Sequence, residues 1–112
     1  MKIHVSEKTP GTFLMALEGD LDMSTSPQVR NTLLPLFSKK KASHIVVDLS
    51  GVPYMDSSGI ATFVEGLQLS RKNSIRFTLA GATPTVTSIF ELAYLKDVFE
   101  MFPDVDGALN GE

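Results

Sequence analysis

Hydrophobic and polar positions divide the chain into short alternating runs and longer periodic ones. Lys2 to Ser6 alternates polar and apolar, the pattern of a strand with one wet face. Thr9-Pro10-Gly11 is a turn signal. Thr12 to Glu18 then sets Phe13, Met15 and Leu17 on one face and Leu14 and Ala16 on the other, which predicts a strand inside a sheet. The two strands are expected to form a hairpin. A helix is predicted from Pro27 to Ser38, with Val29, Leu33, Leu36 and Phe37 on one stripe, Ser26 as N-cap and Pro27 at the first helical position. Pro35 lies inside that span, and an interior proline removes a backbone bond and clashes with the preceding turn, so a kink or an early break near Leu34 is expected.

His44-Ile45-Val46-Val47-Asp48-Leu49 is an almost unbroken apolar run, the pattern of a central buried strand. It leads into the loop Val52-Pro53-Tyr54-Met55-Asp56-Ser57-Ser58-Gly59. Ile60, Phe63, Val64 and Leu67 follow at i, i+3, i+4 and i+7, an amphipathic helix reaching about Lys72. Gly66 weakens that helix by roughly 1 kcal/mol relative to alanine, which points to a close packing contact. Ile75 to Ala80 reads as a strand. Thr83-Pro84 starts another helix, with Val86, Ile89, Phe90, Ala93 and Tyr94 on its apolar stripe. Val98 to Phe102 is a last strand, and Asp104 to Leu109 can begin a short terminal helix. Strand–helix–strand alternation from His44 onward implies parallel pairing, and the opening hairpin makes the sheet mixed. The fold class is therefore α/β, with helices largely on one face of the sheet.

Composition narrows the function classes. The chain of 112 residues suits one domain, and at 43% hydrophobic it can fill a core. A net charge of −3 argues against nucleic acid as the main partner, because phosphate backbones are gripped by Lys/Arg clusters. The one basic run, Lys39-Lys40-Lys41, fits the C-terminal end of a helix, where cations complement the dipole. Without cysteine the chain has no disulfide, thiolate metal site or cysteine nucleophile, as suits a cytoplasmic protein. Met1 to Ser6 lacks the long apolar stretch of a signal peptide, and no run approaches the ~20 apolar residues of a membrane span. No membrane insertion is expected.

Enzymatic chemistry finds little support. The serines at Ser57 and Ser58 lack a G-x-S-x-G setting, and His44 should begin its strand at the sheet end opposite them. No phosphate-cradling glycine motif is present, so no nucleotide cofactor is read. Asp20, Asp22 and Asp56 can gather at one sheet end, but their spacing matches no calcium loop, and no metal site is assigned. Asp56-Ser57-Ser58-Gly59 admits two readings from the residues alone. One is an ordinary strand-to-helix loop with a serine N-cap. The other is a phosphate acceptor, because a phosphate on Ser58 would meet free N–H groups and the positive helix end. Gly59 either takes a special backbone angle or lets another chain approach closely. Met23, Tyr54 and Met55 either pack under the loop or form a contact patch.

Several stretches resemble a known family: Gly19-Asp20-Leu21-Asp22, His44 to Ser50, Tyr54-Met55-Asp56-Ser57-Ser58-Gly59, and Phe90-Glu91-Leu92-Ala93 with Leu95 ahead of Val98-Phe99. Together they resemble STAS domains, and within them the bacterial anti-sigma-factor antagonists, over about the whole chain. The resemblance implies one compact domain over residues 1–112, a mixed sheet of about five strands flanked by about three to four helices. It implies partner switching. The unphosphorylated protein binds an anti-sigma factor that is also a serine kinase of the histidine-kinase-like ATPase fold. Phosphorylation at the position of Ser58 releases it, and a metal-dependent PP2C-type phosphatase resets the switch. Asp22 matches the family's acidic residue beside that serine. With it, Met23, Tyr54, Met55, Asp56, Ser57 and Gly59 are expected to make the partner-binding surface. On this reading the chain is a ligand and substrate, not an enzyme. The wording Ala61 to Leu67 also resembles STAS subunits of lipid-transport ATP-binding-cassette (ABC) complexes, which implies an alternative: a non-catalytic subunit gripping a transporter ATPase, or another signalling scaffold.

Overall fold

A computed structural model describes residues 1–39 and 41–111, so Lys40 of the basic run lies outside the described residues. Strand β1 (Lys2–Thr9) turns back antiparallel onto β2 (Thr12–Glu18), the expected hairpin. Strand β3 (His44–Gly51) pairs in parallel with β2 on one side and with β4 (Arg76–Ala80) on the other. Strand β5 (Glu100–Phe102) adds in parallel to β4, giving the order β1-β2-β3-β4-β5. The mixed five-stranded sheet and the central place of His44 to Leu49 agree with the sequence pattern.

Alternation along the strands assigns the two faces. Phe13, Met15, Leu17, Ile45, Val47, Leu49, Phe77 and Leu79 join one core with helices α1 (Ser26–Ser38), α2 (Ser57–Lys72) and α3 (Pro84–Leu92). Val46 and Ala80 point the other way. There they meet Ala108 of the short helix α4 (Val105–Asn110), flanked by Leu14, Phe102 and Leu109. Three helices therefore cover one face and one covers part of the other. Phe77 is the hub of the main core, edge-on to Phe37 at 5.3 Å and to Phe99 at 6.3 Å between ring centroids. Gly66 is the close contact its sequence position implied: a Cβ there would lie 3.2 Å from Leu33 Cδ2 and 3.4 Å from Phe37 Cε2, so its absence lets α1 and α2 pack tightly. Arg30 and Glu65 bridge those helices at 2.8 Å, an exposed and solvent-screened pair that adds little to stability.

Three local expectations are corrected. Helix α1 does not break near Leu34; it runs through Pro35 to Ser38. The proline removes one backbone bond near the end of the helix, but buried Leu33, Leu36 and Phe37 anchor the helix on both sides of it. Its N-cap is Thr25 rather than Ser26, because Ser26 N–H already donates to Asp22 O at 2.8 Å and so lies inside the helical ladder.

The third correction concerns Ala93 and Tyr94, which fall outside α3. The helix stops at Leu92, and Tyr94 turns left-handed (φ 58°) and is 91% exposed. Leu95 N–H donates to Phe90 O and Tyr94 N–H to Glu91 O, a Schellman-type closure that normally places glycine at the left-handed residue. Tyr94→Gly should therefore raise stability by about 0.5–1 kcal/mol. That is the left-handed strain of ~1–2 kcal/mol relieved, less the extra unfolded-state entropy of glycine. Urea unfolding measures it; a lowered midpoint would show that the exposed ring contributes packing.

Candidate functional site

Because β2 and β3 run parallel, both leave the sheet at the same edge, and the loops that follow them lie side by side. A parallel bridge between Leu21 and Met55 joins those loops. Leu21 N–H donates to Tyr54 O at 2.9 Å, and Asp56 N–H donates to Leu21 O at 3.0 Å. Residues far apart in sequence, Asp22 and Asp56, are thereby set beside each other. The carboxyl ends of parallel strands are where α/β folds usually place their functional surface.

Each loop is organised by one aspartate. Asp22 Oδ1 accepts from Ser24 N–H at 2.9 Å, from Ser24 Oγ–H at 2.6 Å and from Thr25 N–H at 3.3 Å. Asp56 Oδ1 accepts from Ser58 N–H at 2.9 Å and from Ser58 Oγ–H at 2.5 Å. Asp56, not a serine, is the N-cap of α2, so Ser57, Ser58 and Gly59 are its first three residues. The serine-cap expectation fails for a simple reason. The Asp56 carboxylate is the better acceptor, and its extended backbone (φ −110°, ψ −171°) suits a cap. The helix-end donors expected to await a phosphate are also partly engaged. Ser58 N–H is bound to Asp56 Oδ1, and Gly59 N–H donates to Asp56 O at 3.1 Å.

Both carboxyls are held below the usual carboxylate range. For Asp56 the leading cause is donation from the Ser58 hydroxyl, opposed by partial desolvation and by the Asp22 charge. For Asp22 it is donation from the Ser24 hydroxyl. The site is therefore anionic at neutral pH.

The seven residues expected around Ser58 do not share one role. Met23, Tyr54 and Ser57 are exposed, Met23 by 79% and Tyr54 by 47%. Asp22, Asp56 and Ser58 are half-buried at the rim. Met55 is a correction: it is fully buried and belongs to the core, because its bridge to Leu21 turns the side chain inward. Gly59 is buried as well. A Cβ on it would stand 2.7 Å from Met55 Cγ and 2.9 Å from Leu21 Cγ, so the close approach it permits is within this chain. Sequence spacing gave no sign that Leu21 would tie the loops together, nor that Ser24 would repeat the Ser58 arrangement.

His44 lies far from this site. His44 begins β3, and at about 3.3 Å per residue the seven steps to Gly51 place it roughly 23 Å from the loop. Its Nε2 lies 2.9 Å from Thr78 Oγ1, and burial, helped by the Arg76 charge, lowers its pKa. Among the described residues no group of three or more His, Cys, Asp or Glu is placed to hold a metal ion, and no helix is long and apolar enough to cross a membrane.

Residues 5–108 match the family model for the STAS domain. The chain is 28% identical over 111 residues to the anti-sigma-B factor antagonist of Listeria monocytogenes, covering 99% of this chain and 96% of that one. Its fold is similar to that of the anti-sigma factor antagonist SpoIIAA in its unphosphorylated form, with a TM-score of 0.86 at 21% identity over 98% of this chain and 95% of the other. The phosphorylated form of the Bacillus cell fate determinant SpoIIAA gives 0.78 at 20% identity, over 98% of each chain. At such identities the structural likeness speaks for the fold.

Proposed function

This chain belongs to the STAS domain family, and on that premise we propose that it is an anti-sigma factor antagonist working by partner switching, with residues 1–112 as one STAS domain. The rim of Asp22, Met23, Tyr54, Asp56, Ser57 and Ser58 docks an anti-sigma factor that is also a serine kinase of the histidine-kinase-like ATPase fold. Met55 and Gly59 support that rim from beneath. Phosphate on Ser58 releases the partner, and a PP2C-type phosphatase restores binding. The chain is ligand and substrate, not catalyst, and works in the cytoplasm without contacting nucleic acid.

The observation that carries this reading is the Ser58 hydroxyl in the first turn of α2, bonded to Asp56 within a surface shared by two loops. A phosphate there adds about −1.5 to −2 charges. It would stand beside two carboxylates that are already ionised and against a helix end whose Ser58 N–H is taken. The charge is displayed rather than absorbed, which suits a group whose task is to repel. The names of the curated relatives support the partner class.

The test is a pull-down from native lysate with the wild type, Ser58→Ala and Ser58→Glu. A kinase-type partner retained by the first two and lost by Ser58→Glu is the expected result. The same partner on all three would sink the switch, and a transporter ATPase among the bound proteins would favour the scaffold subunit.

A further inference from the structure

Ser57 is the more accessible of the two adjacent serines: it is exposed at the first position of α2, whereas Ser58 is half-buried at the second. Accessibility alone would direct a phosphate to Ser57. What separates them is Asp56, whose Oδ1 takes both the N–H and the Oγ–H of Ser58, while among the described residues the Ser57 hydroxyl has no hydrogen-bond partner. We infer that Asp56 is the positioning residue that selects Ser58 over Ser57 for phosphoryl transfer. This rests on the switch reading above.

A free serine hydroxyl samples three staggered side-chain wells and spins about its C–O bond. Bonded to Asp56 at 2.5 Å, the Ser58 hydroxyl keeps one orientation, with its hydrogen toward the carboxylate and its two lone pairs turned away from it. Phosphoryl transfer passes through a loose transition state in which placement of the attacking oxygen matters more than the strength of a base. Ser58 Oγ attacks the γ-phosphorus of a nucleoside triphosphate held by the kinase. The Oγ–P bond forms while the bond from that phosphorus to the bridging oxygen breaks, its electron pair leaving on the nucleoside diphosphate. The Oγ proton passes to Asp56 Oδ1 and then to water. Donation from Ser58 itself keeps that carboxyl ionised across the neutral range. Once transfer is complete the ester oxygen has no hydrogen to donate. The hold on the Ser58 side chain therefore ends with the product, while its backbone N–H stays on Asp56.

The experiment uses the full chain, ATP and the kinase recovered with the wild type, comparing wild type with Asp56→Asn. Asparagine ranks with aspartate as an N-cap, so the helix start is kept while the charge is removed. A thermal midpoint checks this, and if the variant does not fold, Asp56→Ser, another strong cap, is read the same way. The expected result is a kcat about tenfold lower, as exchange of a charge-assisted bond for a neutral one implies, over and above any rise in KM from the altered rim. Phosphopeptide mapping should also find a rising share of phosphate on Ser57. A kcat near that of wild type with phosphate still confined to Ser58 would overturn the inference. So would a raised KM at unchanged kcat, which would confine Asp56 to its docking role in the rim. If the wild type itself takes no phosphate on Ser58, the switch reading fails and the inference with it.

Discussion

Ser58→Ala is expected to abolish phosphate uptake while leaving the chain folded and able to hold its partner. In intact-mass measurements with kinase and ATP, the wild type should gain one phosphate and the variant none. The substitution removes the Oγ–H bond to Asp56, a small loss at a half-exposed, solvent-screened site. The backbone donation from residue 58 to Asp56 Oδ1 survives, so the cap of α2 survives too. The effect on the switch is then out of proportion to the effect on the fold. A variant that cannot be charged should hold the partner permanently. Wild-type levels of phosphate on Ser58→Ala would move the acceptor elsewhere, with Ser57 and Ser24 next in line by position.

Met55→Ala should cost about 2–5 kcal/mol, the range for deleting a large buried side chain and leaving a cavity. Set against a typical total of ~5–15 kcal/mol for a domain, that is enough to bring the protein near unfolding. Met55 has no exposed surface, and it packs beneath Gly59 and against the bridge to Leu21. Met23→Ala is the contrast. Its side chain is 79% exposed, so stability should change by no more than about 0.5 kcal/mol while partner affinity falls. Urea midpoints separate the two methionines. An unchanged midpoint for Met55→Ala would return Met55 to the docking surface.

The two methionines also mark how far the sequence can be read. The β-branched run of β3 and the i, i+3, i+4, i+7 pattern of α2 are local, and each fixed its element. Ser58 fell in the first turn of α2 for the same reason. Met23 and Met55 look alike in sequence, each an apolar residue in a polar loop. What buries one and exposes the other is a backbone bridge between Leu21 and Met55, which no local pattern encodes. The cap of α2 was misplaced because Asp56, Ser57 and Ser58 are all good capping residues. Only the geometry shows that the aspartate takes the role and Ser58 bonds to it. Pro35 misled because its cost depends on where in the helix it sits and on what anchors its neighbours.

The bridge between Leu21 and Met55 has one more consequence, for the speed and strength of association. Loops that must find their shape upon docking give up conformational entropy at that moment, about 1–2 kcal/mol for each residue ordered. Here the two loops are stitched to each other by Leu21 N–H to Tyr54 O and by Asp56 N–H to Leu21 O, so they are ordered when the chain folds. A partner meets a rigid plate. A patch as small as Met23, Tyr54 and their acidic neighbours can then suffice for binding. The same rigidity leaves the plate no way to bend away from a newly added charge.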